Sequence, residues 1–262
     1  MKTDPGAPLH VQAGRGRSFG ADAAAYERAR PGYPEAVATD LGAGPGVRVL
    51  DVGCGTGKSS ALFLARGCDV VGLEPDEAMA EVARAAGVRV EIADFERFDA
   101  AGRVFDLVVA GQAWHWLDPA GGAAKAAAVL EPGGRLAPFW NFRRLEGPGR
   151  SVVEECYRRH APEILDGRIA RGMADAGEQA AAAHLAAIAA HGAFAPLRLR
   201  RYPFSAALDP DAYRALLATG SDLRLLAPRR REALLAAVQD AVAGLGGVSV
   251  HYETLVVDAR RR

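Results

Sequence analysis

Residues Val47–Gly57 read V-R-V-L-D-V-G-C-G-T-G, an apolar run that ends in an acid and then three glycines at alternate positions. Val47, Val49, Leu50 and Val52 suit a strand covered on both faces, and Gly53, Gly55 and Gly57 permit a sharp turn and a close approach of backbone to a ligand. Lys58–Arg66 then reads as a helix whose first N–H groups point at whatever binds beyond the strand's C-terminal end. A buried strand that opens into such a loop confines the chain to the α/β class, because the strand needs helices on both of its faces. The glycines alone do not choose a ligand, since a tight strand-to-helix turn needs them with or without one.

The pattern then repeats. Asp69–Glu74 reads as a second strand and Asp76–Ala86 as a helix closed by Gly87. Val88–Ile92 is a third strand, Phe105–Ala110 a fourth, Ala120–Leu130 a helix, and Arg135–Trp140 a fifth strand entered through Pro132-Gly133-Gly134. Strands separated by helical patterns imply a parallel sheet with right-handed crossovers. Over 141–192 the strand signal gives way to helical patterns at Ser151–His160 and Gly177–His191, the expected helical cap over the sheet's C-terminal edge. Leu197–Ser205 and Val248–Asp258 read as the sixth and seventh strands, with helices at Asp211–Thr219 and Arg229–Ala243. The expected division is a loose Gly- and Pro-rich leader over 1–17, a ligand-binding half over 18–140, the cap over 141–192 and the rest of the same sheet over 193–262.

Composition removes several function classes. Lys+Arg and Asp+Glu balance at 32 each, so no net field favours nucleic acid or an anionic membrane surface. Cys54, Cys68 and Cys156 are odd in number and lack C-x-x-C spacing, which argues against a disulfide framework or a structural zinc site and fits a reducing cytoplasm. No metal is expected. Nowhere do about eighteen apolar residues run together, so the expectation is a cytoplasmic protein acting on small molecules. The sequence carries no signal of oligomeric state.

With its first strand ending in Asp51-x-Gly53-x-Gly55-x-Gly57 and its second in Glu74, the chain resembles class I S-adenosylmethionine-dependent methyltransferases. The resemblance extends to Asp94-Phe95 after the third strand, to F-D-L-V-V-A-G-Q-A-W-H-W-L at the fourth, and to V-L-E-P-G-G-R-L into the fifth. Tyr26-x-x-x-Arg30-Pro31-x-Tyr33-Pro34 and Gln112-x-x-His115-Trp116 are similar to a narrower group, the trans-aconitate- and cantharidin-methyltransferase-like enzymes. The resemblance implies a doubly wound, seven-stranded, mainly parallel Rossmann-like sheet whose last strand inserts antiparallel between the fifth and sixth. It implies S-adenosylmethionine as cofactor and a small-molecule methyl acceptor.

The same resemblance suggests roles. Glu74 would accept hydrogen bonds from both ribose hydroxyls, or stand solvated at its strand end. Asp94 and the Phe95 N–H would meet the adenine, or Asp94 would only cap a short turn; Pro75 and Phe95 would supply apolar faces for the base. Asp51 would lie beneath the methionine end, and Gly53 and Gly55 would admit the methionyl chain, with any side chain there blocking it. Tyr26 and Arg30, spaced i, i+4, would close over the cofactor with Arg30 forked onto its carboxylate, or Arg30 would stack on Tyr26 at the surface. Gln112 is placed with the cofactor, and Lys58 is expected to be solvated. Trp114 and Trp116 would line the acceptor pocket or lie against the sulfonium, with Trp116 alternatively packed beneath the cap. His115 is the candidate general base for a hydroxyl, amine or carbon acid, whereas a carboxylate would only be oriented by it. Two other functions share these features: an NAD-dependent oxidoreductase, and a non-catalytic S-adenosylmethionine-binding protein.

Overall fold

The computed structural model describes residues 23–165, 175–220 and 222–262, and of 175–180 the backbone alone. The expected leader over 1–17 therefore lies outside the described residues. Seven strands form one sheet in the order β3-β2-β1-β4-β5-β7-β6: β1 Arg48–Val52, β2 Asp69–Leu73, β3 Arg89–Glu91, β4 Phe105–Gly111, β5 Leu130–Leu145, β6 Phe194–Leu208 and β7 Val248–Arg261. β1 to β5 run parallel, and β7 is antiparallel to both neighbours, as the resemblance implies.

Side-chain alternation explains why helices take both faces. Val49, Val70, Leu107, Val109 and Phe139 point to one side, where α2 (Glu35–Asp40) and α3 (Lys58–Leu64) bring Val37, Ala38 and Phe63 against them. Leu50, Val52, Val71, Val108, Leu136 and Val257 point to the other, against α5 (Pro119–Val129) and α7 (Asp175–Ala190). The N-terminal helix α1 (Ala23–Ala29) touches α4 (Glu77–Ala85) and α8 (Pro210–Ala218). A second apolar cluster joins α6 (Gly147–His160), α8 and α9 (Pro228–Ala243) to Val248, Val250 and Tyr252 at the start of β7.

Two sequence expectations change. β5 does not stop at Trp140: Asn141–Leu145 continues it and pairs with Val250–Thr254 of β7. The 141–192 segment also does not act as one cap. Its α6 packs on α9, whereas α7 carries Ala181 and Ile188, both 0 % exposed, into the core cluster on the sheet. The helices that close the C-terminal edge are thus α6, α8 and α9, drawn from both sides of β6.

Candidate functional site

The C-terminal ends of β1, β2 and β4 open into one cavity of about 310 Å³. Such a crevice is where α/β sheets bind ligands, because the first turns of helices and the strand-end loops converge there. The loop after β1 forms its floor. Gly53 has φ 63°, and a Cβ on it would fall 2.6 Å from the Ala113 Cβ. Gly55 has φ 57°, but a Cβ there would meet only Met79 Cε, at 3.5 Å. A side chain at Gly53 would therefore collide with the segment leaving β4, and one at either position would strain the backbone.

Glu74 is 8 % exposed and lines the cavity. Its Oε2 accepts from the Gly55 N–H and its Oε1 from the Asp76 N–H, both at 2.9 Å. Each oxygen keeps lone-pair capacity for a further donor. Burial, opposed by those two N–H bonds, pushes the carboxyl up to about 7. Asp51 is 0 % exposed and does not line the cavity. Its Oδ2 accepts from the Ser59 and Ser60 hydroxyls at 2.6 Å each, while Oδ1 is buried without a partner among the described residues. Burial lifts this carboxyl to about 6 against the serine hydrogen bonds. Asp51 thus anchors the loop from below and makes no direct wall for a ligand.

Tyr26 and Arg30 form the opposite wall with α1. The Arg30 guanidinium lies 5.3 Å from the Tyr26 ring centroid, yet its Nε donates to Thr219 Oγ1 at 2.8 Å and its Nη2 to the Thr219 carbonyl at 3.0 Å. The Nε–Nη2 edge of the fork is thus held by the residue after α8. Lys58 also departs from expectation: its Nζ is 2.8 Å from Glu27 Oε1, tying α1 to the glycine loop.

Pro75, Asp94 and Phe95 line the cavity beside Glu74, and Asp94 begins the turn Phe95–Arg97 without a side-chain capping bond to it. Gln112 leaves β4 at φ 59°; its N–H donates to the Phe139 carbonyl at 2.8 Å and its Nε2 to the Asn141 carbonyl at 3.0 Å. This left-handed kink, unusual for a residue with a Cβ, turns the next residues into the cavity wall. Trp116 reaches that wall, but Trp114 does not: it is 1 % exposed and packs in the core 6.2 Å from Phe95. Trp114 is therefore a core residue and not a pocket residue.

His115 lines the cavity. Its Nδ1 accepts from Trp140 Nε1 at 3.0 Å, and burial with the nearby His184 lowers the imidazole to about 4. Among the described residues no group of three or more His, Cys, Asp or Glu is placed to hold a metal. No helix among them is long and apolar enough to cross a membrane.

Asn141 and Arg143 on β5, Leu216 on α8 and Tyr252 on β7 also line the cavity, outside any local motif. Asn141 is pinned from two directions, donating from Nδ2 to the Gly32 carbonyl at 3.0 Å and accepting from Thr254 Oγ1 at 2.6 Å. The extension of β5 past Trp140 would have pointed to Asn141 and Arg143 and, through pairing with Arg143, to Tyr252.

Comparison with known proteins agrees with this geometry. A family model described as a methyltransferase domain matches residues 50–137. An uncharacterized methyltransferase of Mycobacterium tuberculosis is 42 % identical over 128 residues, covering 48 % of this chain and 53 % of the relative. The ubiquinone biosynthesis O-methyltransferase of Hahella chejuensis is 39 % identical over 100 residues, 35 % of this chain and 42 % of the relative. The chain spans about half the length of the curated relatives it matches. A candidate type II methyltransferase from Anaeromyxobacter dehalogenans superposes with TM-score 0.62 over 88 % of this chain and 97 % of that one, at 23 % identity. A phosphoethanolamine N-methyltransferase from Haemonchus contortus, solved with S-adenosylhomocysteine, gives TM-score 0.50 over 92 % of this chain and 59 % of that one, at 16 % identity. Residues 50–137 therefore match a methyltransferase domain, and the sheet around them has the fold of a solved methyltransferase.

Proposed function

We propose that the protein transfers a methyl group from S-adenosylmethionine directly to a small molecule in the cytoplasm. The observation that carries this reading is that one cavity joins two chemically different halves. One half holds the glycine loop, Glu74, Pro75, Asp94 and Phe95; the other holds His115, Trp116, Asn141, Arg143, Leu216 and Tyr252. The first half fits a nucleoside: a carboxylate with two oxygens still able to accept, flanked by an apolar ring and a proline, beside a loop that tolerates no Cβ at Gly53. Lys58 is already paired with Glu27, so the cation nearest the loop is not reserved for a pyrophosphate. The second half is closed by α8 and β7, elements outside the cofactor-binding part.

S-adenosylmethionine, when bound, supplies an activated methyl on a sulfonium, so the chain's own tasks are in-line alignment and exclusion of water. Glu74 holds the ribose, Asp94 and Phe95 hold the base, Gln112 and the glycine loop shape the methionyl end, and Tyr26 with Arg30 covers it. Asn141, Trp116 and Tyr252 position the acceptor. The joint placement of the Tyr26–Tyr33 segment and the Gln112–Trp116 run on one cavity supports membership of the trans-aconitate/cantharidin-like group.

The test is selective stabilisation. S-adenosylhomocysteine raises the melting temperature by mass action and NAD at the same concentration does not. The reverse result refutes the methyltransferase reading, and a metabolite panel assayed for methyl transfer separates an enzyme from a mere binder.

A further inference from the structure

We propose that Trp140 is a positioning residue that locks His115 as a hydrogen-bond donor toward the methyl acceptor, which therefore meets His115 with a lone pair and not with a proton to be removed. This rests on the methyltransferase reading above. Trp140 Nε1 lies 3.0 Å from His115 Nδ1 in hydrogen-bonding geometry, and an indole nitrogen can donate but never accept. Nδ1 must therefore present its lone pair, and in the neutral ring the proton sits on Nε2. Among the described residues Nε2 has no protein partner, and the ring that carries it lines the cavity beside Trp116.

The arrangement cannot easily reverse. Trp140 is 4 % exposed and its indole stacks on the His184 ring of α7, with centroids 5.0 Å apart and planes 14° from parallel. A rotated indole would lose that stack and bury an unpaired N–H. For His115 to act as a base, Nε2 would have to be bare, moving its proton to Nδ1, where it would face the indole N–H donor to donor. Desolvation, which keeps the ring neutral, points the same way. With S-adenosylmethionine bound, its sulfonium would supply the methyl and keep the carbon–sulfur electron pair, and an acceptor that enters without a proton at the reacting atom would form the new bond through its own lone pair. No proton moves to His115.

The experiment is nitrogen-15 NMR on the full chain labelled at histidine, without ligand, at neutral pH. His115 is one of six histidines and is assigned by the signal lost in His115→Gln. The expected wild-type pattern is one protonated nitrogen at Nε2 and one bare nitrogen at Nδ1. In Trp140→Phe the two shifts converge toward a tautomer average. A wild-type Nδ1–H tautomer, an imidazolium, or an unchanged pattern in Trp140→Phe overturns the proposal, and the wild-type spectrum decides even if the variant fails to fold. Calorimetry with S-adenosylhomocysteine on the same sample reports separately on the methyltransferase reading.

Discussion

S-adenosylhomocysteine is expected to bind more tightly as pH rises through neutrality, and Glu74→Gln to abolish most of that dependence. Burial holds the Glu74 carboxyl at about 7 in the free protein, against an ordinary 4.5. Hydroxyl donors arriving at its two oxygens favour the carboxylate, so the complex has the lower pKa and protons compete with the ligand. If binding restores the ordinary value, affinity falls as pH drops from about 7 toward 4.5, and the dissociation constant changes roughly 25-fold between about pH 5.5 and 7.5. Above that window the dependence is flat. In the free protein the same upward shift means that stability present below the unfolded pKa is lost as pH rises through the folded one, on the order of 3 kcal/mol. Ligand binding recovers that loss. Glu74→Gln has no proton to release; its affinity is flat with pH and lower by about 1.5–3 kcal/mol at the alkaline end. Titration calorimetry in two buffers of different ionisation enthalpy counts the protons directly. A wild-type affinity that is flat with pH refutes the reasoning. A slope that survives in Glu74→Gln transfers the linkage to Asp51, whose carboxyl stands at about 6.

Two further outcomes separate packing from chemistry. Gly53→Ala combines a left-handed backbone, costing about 1–2 kcal/mol, with overlap against Ala113, costing about 1–3 kcal/mol. Urea unfolding should show a loss in that range, partly recovered by adding Ala113→Gly, and a fully stable single variant would remove the contact from the account. Trp114→Ala should lose about 3–5 kcal/mol of stability by emptying a core site, while affinity for S-adenosylhomocysteine, measured well below the melting temperature, stays near wild type. A stable variant with lost affinity would return Trp114 to the pocket.

The strand order was legible because each parallel strand is announced by a short apolar run and a glycine or proline turn, and because the motif set indicates where the last strand goes. The strand ends were less legible. Asn141–Leu145 reads N-F-R-R-L, a poor strand signal by itself, and is extended only because β7 supplies a partner for each residue. Periodicity also could not say which layer α7 joins, since its described sequence is mostly alanine. Within the cavity, the glycine loop, Glu74, Asp94 and Gln112 were visible as local motifs. The state of individual groups was not, because it depends on distant partners: Arg30 is held by a residue 189 positions away, and His115 by one 25 positions away. Burial, which a sequence does not display, is what displaces the Glu74 and His115 pKa values in opposite directions.

The insertion of β7 between β5 and β6 has a bearing on how the chain is made. During synthesis β5 and β6 emerge long before the segment that will separate them, and each then carries a long unpaired edge, 16 and 15 residues respectively. Those edges can pair wrongly with each other or with another chain, a hazard typical of strands exposed during folding. The polar start of β5's extension and the arginines at 198, 200 and 201 of β6 make such pairing less favourable, since like charges stacked across a ladder repel. In the folded sheet β7 fills the slot between β5 and β6, and Asp258 meets Arg135 and Arg200, one from each neighbouring strand. β7 thus makes β5 and β6 parts of one sheet, and it brings Tyr252 to the cavity that Asn141 of β5 also lines.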